Sequence, residues 1–304
     1  MQRKSQAPGA EAPDMCLIAF AIGMSDRWPL VIAANRDEFL DRPTLPLARW
    51  QTASGQEVLS GRDVRAGGTW MGMTPGGRIA FLTNVREGRP EAGSRSRGEL
   101  VMRWLESRGD TASFWKTLRE SASAYSGFNL VVGDFHRNDW MWTTNRPISP
   151  GADAWQAKPL SPGVYGLSNA ALDTPWPKTA ELKRAVATAL SAESDEAMRV
   201  SLWTALANRQ RAQREHLPST GVPLALEEAL SGAFVDLQEQ GYGTRCSTVL
   251  LASAQNEREG LRSWGVLMEE QTHPSPLAVP ASEPLATPVA QSHSTQWRQT
   301  VRRH

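Results

Sequence analysis

The sequence predicts an α+β fold: antiparallel sheets with helices packed on their outer faces. Three observations predict it. Short apolar runs come in pairs joined by turn-rich segments, which is the pattern of hairpins and not of strand–helix–strand units. Stretches with helical spacing fall between the hairpins. The chain has 304 residues, 40% hydrophobic and 21% charged, enough for a substantial core.

The elements follow in order. "CLIAFAI", turn-rich "GMSDRWP" and "LVIAAN" read as a hairpin of two buried strands. "GGTWMGMTPGGRIAFLTN" repeats that form around a Pro-Gly-Gly turn. "GELVMRWLES" and "TASFWKTLRESASAY" have helical spacing, and Asp110 is placed to cap the second. "FNLVVGDF" and "DWMWTT" form a hairpin around "HRN", and "GVYGLSN" is a further strand. "PWPKTAELKRAVATAL" and "EAMRVSLWTAL" are amphipathic helices, the first opened by prolines. "STVLLAS" and "SWGVLMEEQ" make a last hairpin. Residues 1–14 read as disordered, or as a start placed too far upstream. Residues 274–304 read as a disordered tail of Pro, Ser, Ala and Thr.

Composition narrows the function classes. The net charge is +1, from 33 basic and 32 acidic residues, so no nucleic-acid partner is expected from bulk charge. No apolar run reaches the ~20 residues of a membrane span. No secretory h-region follows the first basic residues. Two cysteines, Cys16 and Cys246, make no disulfide framework, and a reducing, cytoplasmic setting is the expectation. There is no P-loop, no GxGxxG, no CxxC and no HExxH, so no metal site is expected. Five histidines are present, but none accompanies a nucleophile-elbow motif.

One nucleophile system needs no histidine. A chain that begins with Cys can use its own α-amine, of pKa ~7.7–8.0, to activate its side chain. Cys16 follows Met15, so removal of that methionine would place the thiol at the tip of a buried strand. The alternative is an ordinary buried cysteine, since free cysteine packs as a small apolar group. The polar residues at apolar-strand ends favour a site. Asn35, Arg36, Asp37 and Glu38 end one strand, Asn84 another and Asn169 a third, while Arg245 precedes the last hairpin. An arginine favours thiolate, an aspartate orients an ammonium, and side-chain amides suit an oxyanion hole.

At these residues the sequence resembles a known family. "MCLIAFA", "LVIAANRDEFLDRP", "LSGRDVRAGGTWMGMTPGGRIAFLTNVRE", "SRGELV", "GFNLVVGD", "GVYGLSNAALDTPW" and "GYGTRCSTVLL" occur in the order seen in the NRDE, or transport and Golgi organisation protein 2, family. The resemblance implies one domain over residues 15–273 with an N-terminal-nucleophile-hydrolase-like fold, a four-layer αββα sandwich. By comparison with choloylglycine hydrolases and penicillin V acylases, it implies Cys16 as nucleophile, with Arg36, Asp37, Asn84, Asn169 and Arg245 as catalytic partners. Here Arg36 and Asp37 are adjacent, where those acylases separate them. Asn35, Glu38, Gly68, Trp70, Met73 and Arg97 complete the expected substrate pocket. Two functions follow as expectations. One is an amidase or thioesterase with no required cofactor. The other is a carrier of haem or acyl-CoA, with Arg89, Arg95 and Arg97 of "RPEAGSRSRGEL" for the phosphates.

Overall fold

The computed structural model describes residues 15–88, 92–149, 151–254, 261–273 and 291–302. Two antiparallel sheets lie face to face. The first runs in the order β10 (Gly163–Leu167), β1 (Met15–Ile22), β2 (Leu30–Phe39), β12 (Tyr242–Ala254), β13 (Leu261–Thr272) and β14 (Gln291–Arg302), with β11 (Asp236–Leu237) paired to β12. The second runs β3 (Thr44–Gln51), β4 (Glu57–Asp63), β5 (Met71–Met73), β6 (Arg78–Asn84), β7 (Phe128–Asp134), β8 (Asp139–Thr144) and β9 (Gln156–Pro159).

Side-chain alternation along the strands builds the layers. From β1, Ile18, Phe20 and Ile22 enter the core between the sheets, where they meet Phe81, Val131 and Trp142. The intervening Leu17, Ala19 and Ala21 face α3 (Pro177–Ala189) and α4 (Asp195–Leu206), whose Leu182, Val186, Met198 and Leu202 cover the first sheet. The second sheet's outer face, with Ala80, Leu82 and Leu130, is covered by Leu100, Trp104, Phe114 and Leu118 of α1 (Gly98–Leu105) and α2 (Thr111–Ser121). The result is the expected αββα order. β2 lies at the centre of the first sheet and is buried on both faces from Leu30 to Glu38, which explains its continuous apolar run. Asp110 caps α2 as read from the sequence, accepting from the Ser113 amide at 2.7 Å, and Pro177 opens α3.

The β3–β4 hairpin and β14 were among the strands not legible in the sequence. The β3–β4 hairpin carries Pro46 within an irregularity between Leu45 and Ala48, as suits an edge strand. Residues 291–302, expected within a disordered tail, form β14 along the whole of β13. Backbone pairing with an open sheet edge overrides that segment's weak apolar pattern. Residues 1–14 and 274–290 lie outside the described residues. No helix among the described residues is long and apolar enough to cross a membrane.

One glycine fixes how the strand layer meets α1. A Cβ at Gly68 would stand 2.5 Å from the Gly98 carbonyl carbon, and the Thr69 amide donates to the Gly98 carbonyl at 3.3 Å. Gly68→Ala is therefore expected to destabilise the fold by about 1–3 kcal/mol, read by urea unfolding, because backbone and not a flexible side chain must move.

Candidate active site

The start of β1, the end of β2 and the start of β12 lie side by side. Cys16 pairs with Arg36 across one interface and Cys246 pairs with Arg36 across the other. Both thiols are free and buried. Two strand spacings separate their backbones by roughly 10 Å, beyond the ~7 Å reach of a disulfide. Cys16 lies two residues before Ile18, on the face turned between the sheets, and lines a cavity of about 350 Å³. Cys246 is held by burial and by Glu270, and its thiol is pushed well above the usual range.

The cavity wall is built from ion pairs. Arg36 Nη2 lies 3.2 Å from Glu38 Oε2, and its guanidinium sits 4.4 Å from the centre of the Trp70 ring. Arg42 bridges Glu38 at 3.5 Å and Asp63 at 2.6 Å, linking the end of β2 to β4 in the other sheet. Burial pushes the Asp63 carboxyl up, but the Arg42 bond and the Ala66 amide outweigh it and hold the group below its ordinary range. Arg65, Arg95 and Arg97 stand at the mouth, Arg95 paired there with Glu99, so five arginines border the cavity with Asp37, Glu38 and Asp63. Arg89 lies outside the described residues.

On the opposite face of β2 the polar residues turn toward the helices. Asn35, expected in the substrate pocket, instead donates to the Leu206 and Ala233 carbonyls at 2.9 and 2.8 Å; strand alternation sends it to the helical layer. Asp37 borders the cavity and accepts from Thr244 Oγ1 at 2.6 Å. Its other carboxylate oxygen is buried and accepts no hydrogen bond among the described residues. Burial pushes the Asp37 carboxyl up to about 6, against the opposing charges of Lys178, Arg86 and Arg36. Burial likewise pulls Lys178 down to about 8, with Asp37 the main influence opposing it. Lys178 Nζ donates to the Leu230 carbonyl at 2.9 Å. Arg86 pairs with Glu227 of α5 (Leu224–Ala229), both fully buried.

The remaining expected residues divide. Trp70, Glu38, Asn84 and Arg97 border the cavity. Asn169 does not line it; its amide donates to the Asn84 carbonyl at 2.9 Å and so braces the strand end that carries Asn84. Ser168, beside it, donates to the Cys16 carbonyl at 3.1 Å. Gly68 and Met73 are also absent from the wall: Gly68 makes the contact with α1, and Met73 belongs to the core between the sheets. Arg245 occupies an irregularity of β12 between Thr244 and Cys246 and does not line the cavity. Burial, then the neighbouring Arg36 charge, lowers its pKa. Sequence reading missed Arg42, Asp63, Arg86, Lys178 and Glu227. One signal was present for Lys178: a lysine in the first turn of a helix opposes the helix dipole and wants a local reason.

Two antiparallel sheets between helical layers, with a cysteine on a cavity wall at the end of the central strands, define the class of protein. A family model described as Transport and Golgi organisation 2 matches residues 15–261. The chain belongs to that family. It is 33% identical over 281 residues to a Transport and Golgi organization protein 2 homolog of Bos taurus, covering 85% of this chain and 98% of that one. The Mus musculus homolog is 32% identical over 254 residues, 79% of this chain and 89% of that one. The Drosophila melanogaster protein is 26% identical over 264 residues, 80% and 89%. Among solved structures, a mutant of the conjugated bile acid hydrolase from Clostridium perfringens superposes with a TM-score of 0.47 at 7% identity, covering 95% of this chain and 97% of that one. A Caenorhabditis elegans N-acylethanolamine-hydrolyzing acid amidase ortholog gives 0.37 at 13%, covering 78% and 92%. The layer order stands on this chain's own sheets.

Two outcomes follow. Glu227→Ala removes the carboxylate that faces the buried Arg86 charge, and should cost about 3–5 kcal/mol in urea unfolding. The raised Asp37 carboxyl retains a proton in the folded state that the unfolded chain has lost, so its ionisation destabilises the fold as pH rises from about 4 to about 6. Asp37→Asn has no such ionisation. Its unfolding midpoint should therefore rise relative to that of the wild type between pH 4.5 and pH 7.

Proposed function

We propose that the protein is an acyl hydrolase with Cys16 as an N-terminal nucleophile, acting on the amide or thioester of an acyl compound that carries an anionic group. The observation that carries this reading is the buried, unbonded carboxylate oxygen of Asp37, which borders the same cavity as Cys16. Asp37 pairs in register with Met15. Cleavage after Met15 would free an ammonium on Cys16 one residue from that position, with a buried acceptor beside it.

In this reading the Cys16 thiol gives its proton to the α-amine, and Sγ bonds to the substrate carbonyl carbon. The carbonyl π pair moves onto oxygen, which the Asn84 amide is positioned to stabilise from the cavity wall. Collapse expels the amine or thiol, which takes the proton from the ammonium. Water then attacks the acyl-cysteine thioester, releasing the carboxylic acid and restoring the thiol. Arg65 and Arg97 at the mouth select for the anionic portion of the substrate, while Arg95 there is paired with Glu99.

A second reading, binding of acyl-CoA or haem without turnover, draws on those same arginines. Acyl-CoA phosphates and haem propionates are both anions that they would meet. For haem iron the cavity offers Cys16 as a soft donor, and among the described residues no histidine lines it.

Intact mass together with hydrolysis of palmitoyl-CoA and of N-acyl amino acids separates the two. The hydrolase reading expects a mass beginning at Cys16 and, in Cys16→Ala, a loss of turnover of at least about a hundredfold with unfolding unchanged. Turnover undiminished in Cys16→Ala would sink it. Retention of the residues before Cys16, no turnover, and palmitoyl-CoA affinity weakened by Arg97→Ala would favour the carrier.

A further inference from the structure

A second cavity, of about 210 Å³, lies at the start of α3, in the layer that covers the first sheet. Its wall shares no residue with the cavity of Cys16. Lys178 lines it from the first turn of α3, and Gln210, Arg211, Gln213 and His216 line it from the segment after α4. The positive charges on this wall are not balanced. Lys178 is 3% exposed, and its ammonium has three N–H groups to satisfy. One donates to the Leu230 carbonyl at 2.9 Å. Among the described residues no carboxylate lies within ion-pair distance of that ammonium. Arg211 is exposed and likewise has no ion pair among the described residues. Its neighbours Arg209 and Arg214, by contrast, are taken by Asp236 and Glu228. The acid on the wall is Glu181, which is exposed and accepts from the Asn208 amide at 3.4 Å. α3 itself adds partial positive charge here, because it starts at Pro177 and Trp176 before it gives no side-chain cap.

We propose that this cavity is a binding site for a phosphate-type oxyanion, held by the Lys178 ammonium, the Arg211 guanidinium and the positive end of α3. A buried ammonium without a counter-ion is costly, and an anion in the cavity offsets that cost. Burial lowers the Lys178 pKa to about 8, in keeping with a cation that lacks a close partner. Asp37, the acid that most opposes this lowering, is bonded to Thr244 and borders the other cavity. Two cations from different segments and a helix end converge on one small space. That convergence suits a compact, multiply charged anion with several acceptor oxygens. The side-chain amides of Gln210 and Gln213 and the His216 ring supply further donors on the same wall. Free phosphate and a small phosphomonoester share this chemistry. The site does not depend on any reaction at Cys16.

The test is isothermal titration of the full chain with inorganic phosphate and, separately, with glycerol 3-phosphate, each against sodium chloride at matched ionic strength. The expected result is saturable one-to-one binding, weakened about tenfold by Lys178→Met and about threefold by Arg211→Ala. Tighter binding of glycerol 3-phosphate would assign the site to a phosphomonoester, and tighter binding of inorganic phosphate to the free ion; both support it. A response reproduced by chloride alone would overturn the proposal, as would unchanged phosphate affinity in both variants. Binding lost in Arg97→Ala but intact in Lys178→Met would also overturn it, since the anion would then sit in the cavity of Cys16. If Lys178→Met loses its cooperative unfolding transition, the exposed Arg211→Ala position decides alone, and an unchanged affinity there overturns the proposal. None of these readouts uses turnover, so the hydrolase reading and this one stand or fall separately.

Discussion

The structure depends on one constraint: β2 is covered on both faces along nearly its whole length, and its last third is polar. A strand of that kind cannot leave Asn35, Arg36, Asp37 and Glu38 to water, so each must be satisfied inside the protein. Alternation divides them. Arg36 and Glu38 face the gap between the sheets and pair with each other. Asn35 and Asp37 face the helices, where Asn35 ties down two carbonyls and Asp37 meets Thr244. The same four residues thus seal two layers and open a cavity at the end of the sandwich. Breaking one partner would leave a buried charge uncompensated.

The arginines of the cavity fall into two groups by depth. Arg36 and Arg42 are engaged with Glu38 and Asp63 and hold the sheets together at their ends. Arg65 and Arg95 stand exposed at the mouth, Arg95 paired with Glu99, and Arg97 is half-buried at the start of α1. A ligand entering with an anionic group would meet charge at the rim and a thiol, an amide and an indole at depth.

Much of this was legible in the residues, and what was not has physical causes. The apolar hairpins, the Asp110 cap and the proline that opens α3 follow from local rules, and local rules decided them. Cys16, Arg36, Asp37, Glu38 and Asn84 stand out in the sequence as polar or reactive groups at apolar strand ends, and with Trp70 they border one cavity. Asn35, expected in the pocket, lies beside residues that border the cavity while its own side chain takes the other face. Met73 and Gly68, expected in the pocket, pack in the core and against α1, because membership of a motif does not say whether a residue packs or binds. Asn169 was read as an oxyanion donor, whereas its amide is bonded to the backbone of Asn84. The partners that make the corner electrostatically whole, Arg42, Asp63, Arg86, Lys178 and Glu227, are supplied from distant segments, and no spacing in the sequence announces such a meeting.

The irregularity at Arg245 shows how finely that meeting is arranged. From Cys246 onward, even-numbered residues of β12 turn into the gap between the sheets, as Leu250 and Ala252 do, while Val249 and Leu251 turn toward the helices. Unbroken alternation would send Thr244 into the gap and away from Asp37. The pairing with β2 instead shifts between Thr244 and Cys246, so that Thr244 stands opposite Asp37 and Cys246 opposite Arg36. One additional residue inverts the faces on either side of it. The Thr244 hydroxyl thereby reaches Asp37 on the helical side, while Cys246 stays in the core beside Arg36. Arg245 is the residue accommodated by the shift, and its place in the fold follows from that backbone requirement before any question of chemistry arises.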